Sequence, residues 1–370
     1  MKTNNTLNEL TPGQAFHPGE DLKDELEARN ISQAELAEKL GMNRSQVNEI
    51  IKGKRNITAD LALLLEKVLG IDAEYWLNAQ KQYELDKARV NKKLQERQNA
   101  IEEWDKYKDK IAIKFLRKQK CLTGDPLEDI HSVKNIYNIN KLNKLNSIFS
   151  QQRFSRFRKS EKLNVDPVNL IGWVKLVEYR AAKEKIENFR KKKRKEIIEK
   201  LIDIIKENSN TQQKIKDTLS SYGIVMIYQQ KGDKTPVDGI SFWSGQNPAI
   251  GMPLRHKRID NFTFTLFHEL GHIFKHLLTD KKAEFIDLKE DIVYQKANKD
   301  EENEANTFAQ ESLIPKDKWK RFFNQTNRFT DIRIKNFARE AGIHPAIVHG
   351  RLCFETRNYK RKTQIDFSIG

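Results

Sequence analysis

Between residues 20 and 84 the apolar positions recur at helical spacing, in short amphipathic runs separated by residues that start and stop helices. Five helices are predicted there. The first covers Glu20 to Arg29. Ser32 caps the second, with Glu35 at the capping-box position ahead of Leu36, Ala37 and Leu40, and Gly41 ends it. Asn43, with Gln46 at the box position, caps a third helix through Ile51 that turns Val47, Ile50 and Ile51 inward before Gly53. Thr58 caps a leucine-rich fourth helix, Leu61 to Leu69, and Asp72 caps a fifth that offers Tyr75, Trp76 and Leu77 for packing.

From residue 85 to about 120 Gly and Pro nearly vanish, and Val90, Leu94, Ile101 and Trp104 recur among charges, which predicts a long solvated helix. Beyond Gly124-Asp125-Pro126 and an Asn- and Lys-rich stretch, two more helices are predicted, Pro167 to Lys195 and Glu196 to Asn208. Phe154, Phe157 and Trp173 lie near Arg153, Arg156 and Arg158, but their helical spacing favours core packing over base stacking. At Tyr222 the pattern changes: GIVMIYQQ, GISFWSG and PAIGMPL are short β-type runs separated by Gly, Pro and Asp. They predict a small sheet ahead of a helix over 262–278 and another over 301–313. The expected fold is multidomain and mostly α. Its segments are a flexible tail (1–16), an all-α five-helix domain (17–84), a helical middle region (85–215), an α+β domain with a small sheet (216–325) and a C-terminal helical segment (326–370).

Length and composition narrow this picture without changing it. A chain of 370 residues is long for one core and fits two or three domains. There is no run of about 18 apolar residues, and MKTNNTLNEL lacks the apolar stretch of a signal peptide, so a cytoplasmic protein without a membrane partner is expected. Cys121 and Cys353 stand far apart and read as buried, unreactive thiols. The formal charge of +16 is unevenly spread: residues 1–84 carry −4, residues 85–220 carry +15 and residues 221–370 carry +5. Because the middle interleaves Lys with Glu, a solvated helical surface is the expectation there before a nucleic-acid surface.

The chemistry concentrates at His268-Glu269-Leu270-Gly271-His272. On a helix, positions four apart share a face, so both imidazoles can be directed at one ion with Glu269 beside them. A catalytic zinc takes three protein ligands and leaves one position open. The acidic helix from Glu301 to Ala309 supplies the third, Glu302, with Glu304 as the alternative; Asn306, one turn beyond Glu302, can hydrogen-bond a ligating histidine. Glu269 then serves as the general base of peptide hydrolysis. His276 is one turn further on, about 12 Å along the axis from His268, and cannot share that ion.

Residues 220–315 resemble the ImmA/IrrE family of metallopeptidases. The likeness rests on Asn247-Pro248-Ala249-Ile250, Arg255 to Asp260, Phe264 to His272, and Glu302 through Ala305-Asn306, Phe308-Ala309 and Leu313 to Pro315. It implies a zincin-like, gluzincin-type fold, zinc on His268, His272 and Glu302, Glu269 as base, and proteolysis of helix-turn-helix repressors. Phe337 to Leu352 is similar to that family's C-terminal helical segment, for which a structural role is expected. Residues 17–84 resemble the HigA antitoxin group of Xre-type, lambda-repressor-like helix-turn-helix domains through His17-Pro18-Gly19-Glu20, Ser32 to Ala37 and Asn48 to Arg55. Helices two and three would be the DNA-reading pair, the third laying its N-terminal half in the major groove. Arg44, Ser45, Gln46 and Asn48 are then the readers of bases, and Lys52, Lys54 and Arg55 the phosphate contacts.

These readings combine into one expectation: a transcriptional regulator that binds double-stranded operator DNA as a homodimer and carries a zinc endopeptidase cleaving a helix-turn-helix repressor or antitoxin. The alternative is an antitoxin and autorepressor, partnered by a cognate toxin, whose C-terminal domain senses or sequesters without cleaving.

Overall fold

The computed structural model describes residues 14–150, 165–253, 258–281, 283–288, 299–325 and 328–370. The tail over 1–16, save its last three positions, lies outside them. So do Arg153, Phe154, Arg156, Phe157 and Arg158, and Arg255 at the start of one resembling stretch. The described chain is mostly helical and divides into two compact units, Met1–Glu103 and Trp104–Gly370.

The first unit holds α1 (Pro18–Ala28), α2 (Gln33–Leu40), α3 (Arg44–Ile51), α4 (Ala59–Leu69) and α5 (Ala73–Val90), close to the five expected helices. Local chemistry sets their ends. His17 Nδ1 accepts from Gly19 N at 2.9 Å and Pro18 opens α1. Ser32 Oγ accepts from Glu35 N at 3.2 Å, while the Glu35 carboxylate turns to Lys39 at 3.1 Å. Gly41, at φ 64°, makes the turn between α2 and α3. Leu22, Leu36, Val47, Ile50, Leu65 and Trp76 are buried in one core, so α3 is held by its inward stripe and its opposite face is left to solvent.

The single long helix expected over 85–120 is not what forms. α5 stops at Val90, and Asn91 turns out with its Oδ1 accepting from Lys93 N at 3.1 Å, which starts α6 (Lys92–Tyr107) afresh; α7 (Ile113–Lys118) follows. One asparagine whose side chain competes for backbone donors is enough to divide the run.

In the second unit α8 (Pro126–Tyr137), α9 (Leu145–Ser150), α10 (Pro167–Ala181), α11 (Arg194–Glu207) and α12 (Thr211–Ser221) precede a four-stranded sheet. The helix expected to run from Pro167 to Lys195 ends at Ala181. The chain beyond is drawn onto the end of the sheet where β1 and β3 begin: Asn247 Nδ2 donates to Glu187 O at 2.7 Å and Arg190 N donates to Tyr222 O at 3.0 Å.

The strands are β1 (Val225–Tyr228), β2 (Val237–Ser244), β3 (Asn247–Met252) and β4 (Phe285–Leu288), in the order β1-β3-β2-β4. β1 runs parallel to β3, β3 antiparallel to β2, and β4 antiparallel to β2. The first three match the expected β-type runs; β4 was not anticipated. Side chains alternate across β3. Ile250 and Met252 join a core with Phe262, Leu266, Phe267 and Leu270 of α13 (Ile259–His272), whereas Gly251 lies against Val177 of α10. Helices thus cover both faces of the sheet, and α10, drawn from the expected middle region, is one of them. Trp173 of α10 is fully buried and its Nε1 donates to Gln229 O at 3.1 Å, as core packing requires.

After α13 the chain widens into a π-helical turn, Ile273–Leu277, and α14 (Lys299–Leu313), α15 (Lys316–Asn324), α16 (Asp331–Ala341) and α17 (Pro345–Thr356) complete the unit. α17 buries Ala346, Val348 and Leu352 in the same core as α13, so the C-terminal helices share the interior of the α+β part. Among the described residues no helix is long and apolar enough to cross a membrane.

Candidate metal centre and helix-turn-helix surface

The sequence FTFTLFHELGH leaves α13 apolar around nearly its whole circumference, and the helix is buried accordingly from Ile259 to His272 apart from Asn261 and Phe264. A helix buried on all sides carries its polar side chains into the interior, where each has to be satisfied. Three of them, His268, Glu269 and His272, form the candidate site together with Glu302 of α14. His268 and His272 present Nε2 atoms 3.0 Å apart, and Glu302 of α14 brings Oε2 to 3.3 Å from His268 Nε2 and Oε1 to 3.6 Å from His272 Nε2. All three side chains are buried, and they form the one cluster of potential metal ligands among the described residues.

The triangle suits an ion. Ligand atoms 2.0–2.1 Å from a tetrahedral zinc lie roughly 3.3–3.4 Å apart, and the three edges straddle that value. Glu302 Oε1 is buried without a hydrogen-bond partner, a costly position for a carboxylate oxygen unless a cation faces it. Burial, followed by the neighbouring charges of His268 and His276, holds the His272 imidazole well below its usual range, so the ring is neutral and has a lone pair to give. His268 Nδ1 lies 3.0 Å from Asn306 Oδ1, which can only accept; a proton on Nδ1 serves that contact, while Nε2 faces His272 and Glu302.

Glu269 takes a different direction from the two histidines. It is 0% exposed, and its carboxylate accepts a short hydrogen bond from Ser241 Oγ on β2. It also lies against Gly239 so closely that a Cβ there would stand 2.0 Å from Glu269 Oε1. Gly271 serves the other side of the helix, since a Cβ at that position would meet Ala305 Cα of α14 at 2.9 Å. The two glycines let the helix approach β2 and α14 together.

Glu304, the alternative third ligand, is outside the triangle: its Oε2 lies 3.2 Å from His276 Nε2. His276 in turn brings Nδ1 to 3.1 Å from His272 Nδ1, one layer behind the site. Phe285 of β4 stacks on His272 with ring centroids 4.2 Å apart. Ser241, Gly239, Phe285 and the His276–Glu304 pair are the site's neighbours that the motif does not announce. Only Gly239, a glycine inside a β-type run, carries a signal of close approach in the sequence.

In the first unit Arg44 and Ser45 are exposed at the start of α3, and Gln46 and Asn48 are half-buried on it. Gln46 Oε1 accepts from Asn43 N at 2.9 Å, so the oxygen that a bidentate adenine contact uses is engaged in the helix cap. Lys52, Lys54 and Arg55 are exposed on the turn after α3, where Lys54 N and Arg55 N both donate to Glu49 O. α3 thus offers a polar N-terminal half and the following turn a concentrated positive charge, despite the acidic balance of residues 1–84.

A helix-turn-helix pair in one unit and a buried His-His-Glu triangle on packed helices in the other describe a fusion of two domain types. Residues 22–76 match the helix-turn-helix family model and residues 221–352 match that of the IrrE N-terminal-like domain, so the chain belongs to the helix-turn-helix proteins and carries an IrrE N-terminal-like domain beside it. Virulence-associated protein I of Dichelobacter nodosus is 44% identical over 79 residues, 21% of this chain and 73% of that protein. An uncharacterized HTH-type transcriptional regulator of Escherichia coli K12 is 34% identical over 97 residues, 26% of this chain and 81% of that one. Among solved structures, the Pseudomonas aeruginosa antitoxin HigA with the higBA promoter is 37% identical, covers 22% of this chain and 90% of its own, and has a TM-score of 0.21.

Proposed function

We propose that this chain is a cytoplasmic DNA-binding regulator with a zinc-dependent endopeptidase site. The observation that carries the reading is the buried triangle of His268, His272 and Glu302, in which a carboxylate oxygen without a hydrogen-bond partner is buried beside two imidazoles. Zinc, when bound, lowers the pKa of water and polarises a carbonyl. The three side chains hold the ion, and Asn306 fixes the tautomer of His268. Glu269, oriented by Ser241, takes the proton of the attacking water and delivers it to the leaving amine. Gly239 gives that carboxylate room.

The substrate we infer is a helix-turn-helix repressor or antitoxin-type protein, because a peptidase tethered to an operator-binding domain meets such proteins at their own sites. Arg44, Ser45 and Asn48 read bases and Lys52, Lys54 and Arg55 contact phosphates; two copies on a two-fold operator double these contacts. A second reading draws on the full burial of Glu269 and on the likeness to antitoxin HigA. In it the chain is an autorepressor, paired with a toxin, whose second unit binds metal and senses a partner without cleaving.

Incubation of the purified chain with a panel of helix-turn-helix repressors, beside a metal measurement and a gel shift on its own promoter, tests the two. The proposal expects about one zinc per chain, cleavage that disappears in Glu269→Gln, and DNA binding that Glu269→Gln retains and Asn48→Ala weakens. Intact repressors together with bound zinc would favour the second reading.

A further inference from the structure

We propose that His276 and Glu304 form a relay that positions His272 as a metal ligand, an inference that rests on reading His268, His272 and Glu302 as a metal site. His272 Nδ1 and His276 Nδ1 are 3.1 Å apart, and His276 Nε2 is 3.2 Å from Glu304 Oε2. One arrangement of hydrogens serves both contacts once His272 gives its Nε2 lone pair to an ion. The neutral ring then carries its proton on Nδ1 and donates to His276 Nδ1. His276, accepting there, carries its own proton on Nε2 and donates to the Glu304 carboxylate. Each contact has one donor and one acceptor, and reversing either would put a proton on the nitrogen that faces the ion.

The two ligating histidines are thus supported in different ways from the same helix. His268 meets Asn306 directly, whereas His272 reaches Glu304 through a second imidazole. The difference follows from burial: the Glu304 side chain is 60% exposed and that of His276 is 11% exposed. A carboxylate placed directly on His272 Nδ1 would be a further buried negative charge beside Glu302 and Glu269. The relay keeps that charge in water and carries its orienting effect inward. Phe285 holds the geometry, with its ring stacked on His272 at 4.2 Å and tilted over His276 at 5.2 Å, so neither imidazole can rotate freely.

The test is zinc affinity of the full chain, by competition with a chromophoric chelator, together with the visible absorption of the cobalt-substituted protein. His276→Leu keeps bulk and removes both contacts; zinc binding is expected to weaken about 10- to 100-fold and the cobalt bands to shift. His276→Gln restores an acceptor for His272, as Asn306 does for His268, and is expected to recover most of the loss. Glu304→Ala, at an exposed position, is expected to weaken zinc binding less than His276→Leu and to leave the apo protein's melting unchanged.

A His276→Leu protein with wild-type affinity and cobalt spectrum would overturn the relay, and so would Leu and Gln variants that are equally weak, which would make His276 a packing residue only. If His276→Leu fails to fold, Glu304→Ala decides: unchanged affinity overturns the proposal. A wild-type chain that binds no zinc refutes the metal site itself, an outcome distinct from wild-type binding that the relay variants leave untouched.

Discussion

Gly271→Ala adds one carbon where α13 and α14 approach closely. The new Cβ would lie 2.9 Å from Ala305 Cα, 3.1 Å from Ala305 O and 3.3 Å from Ala305 Cβ. Comfortable carbon contacts begin near 3.5 Å, so α13 and α14 have to part by roughly half an ångström. Glu302 is one turn before Ala305 on α14 and moves with it, whereas a metal site tolerates ligand displacements of only about 0.2 Å. Overpacking of this kind costs about 1–3 kcal/mol, and if the ligand set bears it, zinc affinity falls roughly 5- to 150-fold. Alanine is also the better helix former by about 1 kcal/mol, which offsets the strain in the metal-free protein. Chelator competition and melting of the apo form are the assays. The expected result is a large loss of affinity with little change in apo melting. Zinc binding within twofold of wild type would refute the claim that this close approach sets the ligand geometry.

Gly239→Ala directs the same logic at the base: a methyl group 2.0 Å from Glu269 Oε1 displaces the carboxylate, so peptidase turnover should fall at least tenfold, on the scale of lost acid–base catalysis, with zinc affinity retained. On the DNA side, replacing Lys52, Lys54 and Arg55 together by Ala should weaken operator and unrelated DNA alike. The slope of log affinity against log salt should shrink by about 0.9 for each lost phosphate contact, as gel shifts over a salt series would show. His344 caps α17 through Nδ1, which accepts from Ala346 N at 3.3 Å, and burial lowers its pKa. A histidine with a depressed folded-state pKa lends stability above its unfolded value, near 6.5, that is lost as pH falls toward the folded one. Melting temperature should therefore drop between about pH 7 and pH 5, and drop less in His344→Asn, which keeps a cap and does not titrate.

What could be read from the sequence was chiefly what is local in the chain. Ser32, Thr58 and Asp72 announce helix starts through side chains that bond their own backbone within three residues, Asn43 does so through Gln46 reaching back to its N–H, and the five helices of the first unit follow. His268, His272 and Glu302 were legible because helical spacing alone fixes the first two and an acidic helix was needed for the third. The misses were tertiary. Residues 182–190 look helical, yet Asn247 and Tyr222 hold them against the end of the sheet where β1 and β3 begin. β4 is four residues long and takes its conformation from β2. Glu304 looked like a ligand because it is an acid two residues from Glu302, but two residues on a helix turn a side chain to another face, where His276 meets it.

The proposed ligand set also has a topological side. Two of its members stand on one helix and the third on another, separated along the chain by about 30 residues, a loop whose closure, by the chain-entropy estimate used for disulfides, is worth about 3–4 kcal/mol. An ion bound by His272 and Glu302 as proposed would therefore be a reversible cross-link as well as a reagent. Removing it with a chelator should deprotect the amides of α14 in hydrogen exchange while leaving those of α2 and α3 untouched, which couples the supply of metal to the folding of one part of the chain alone.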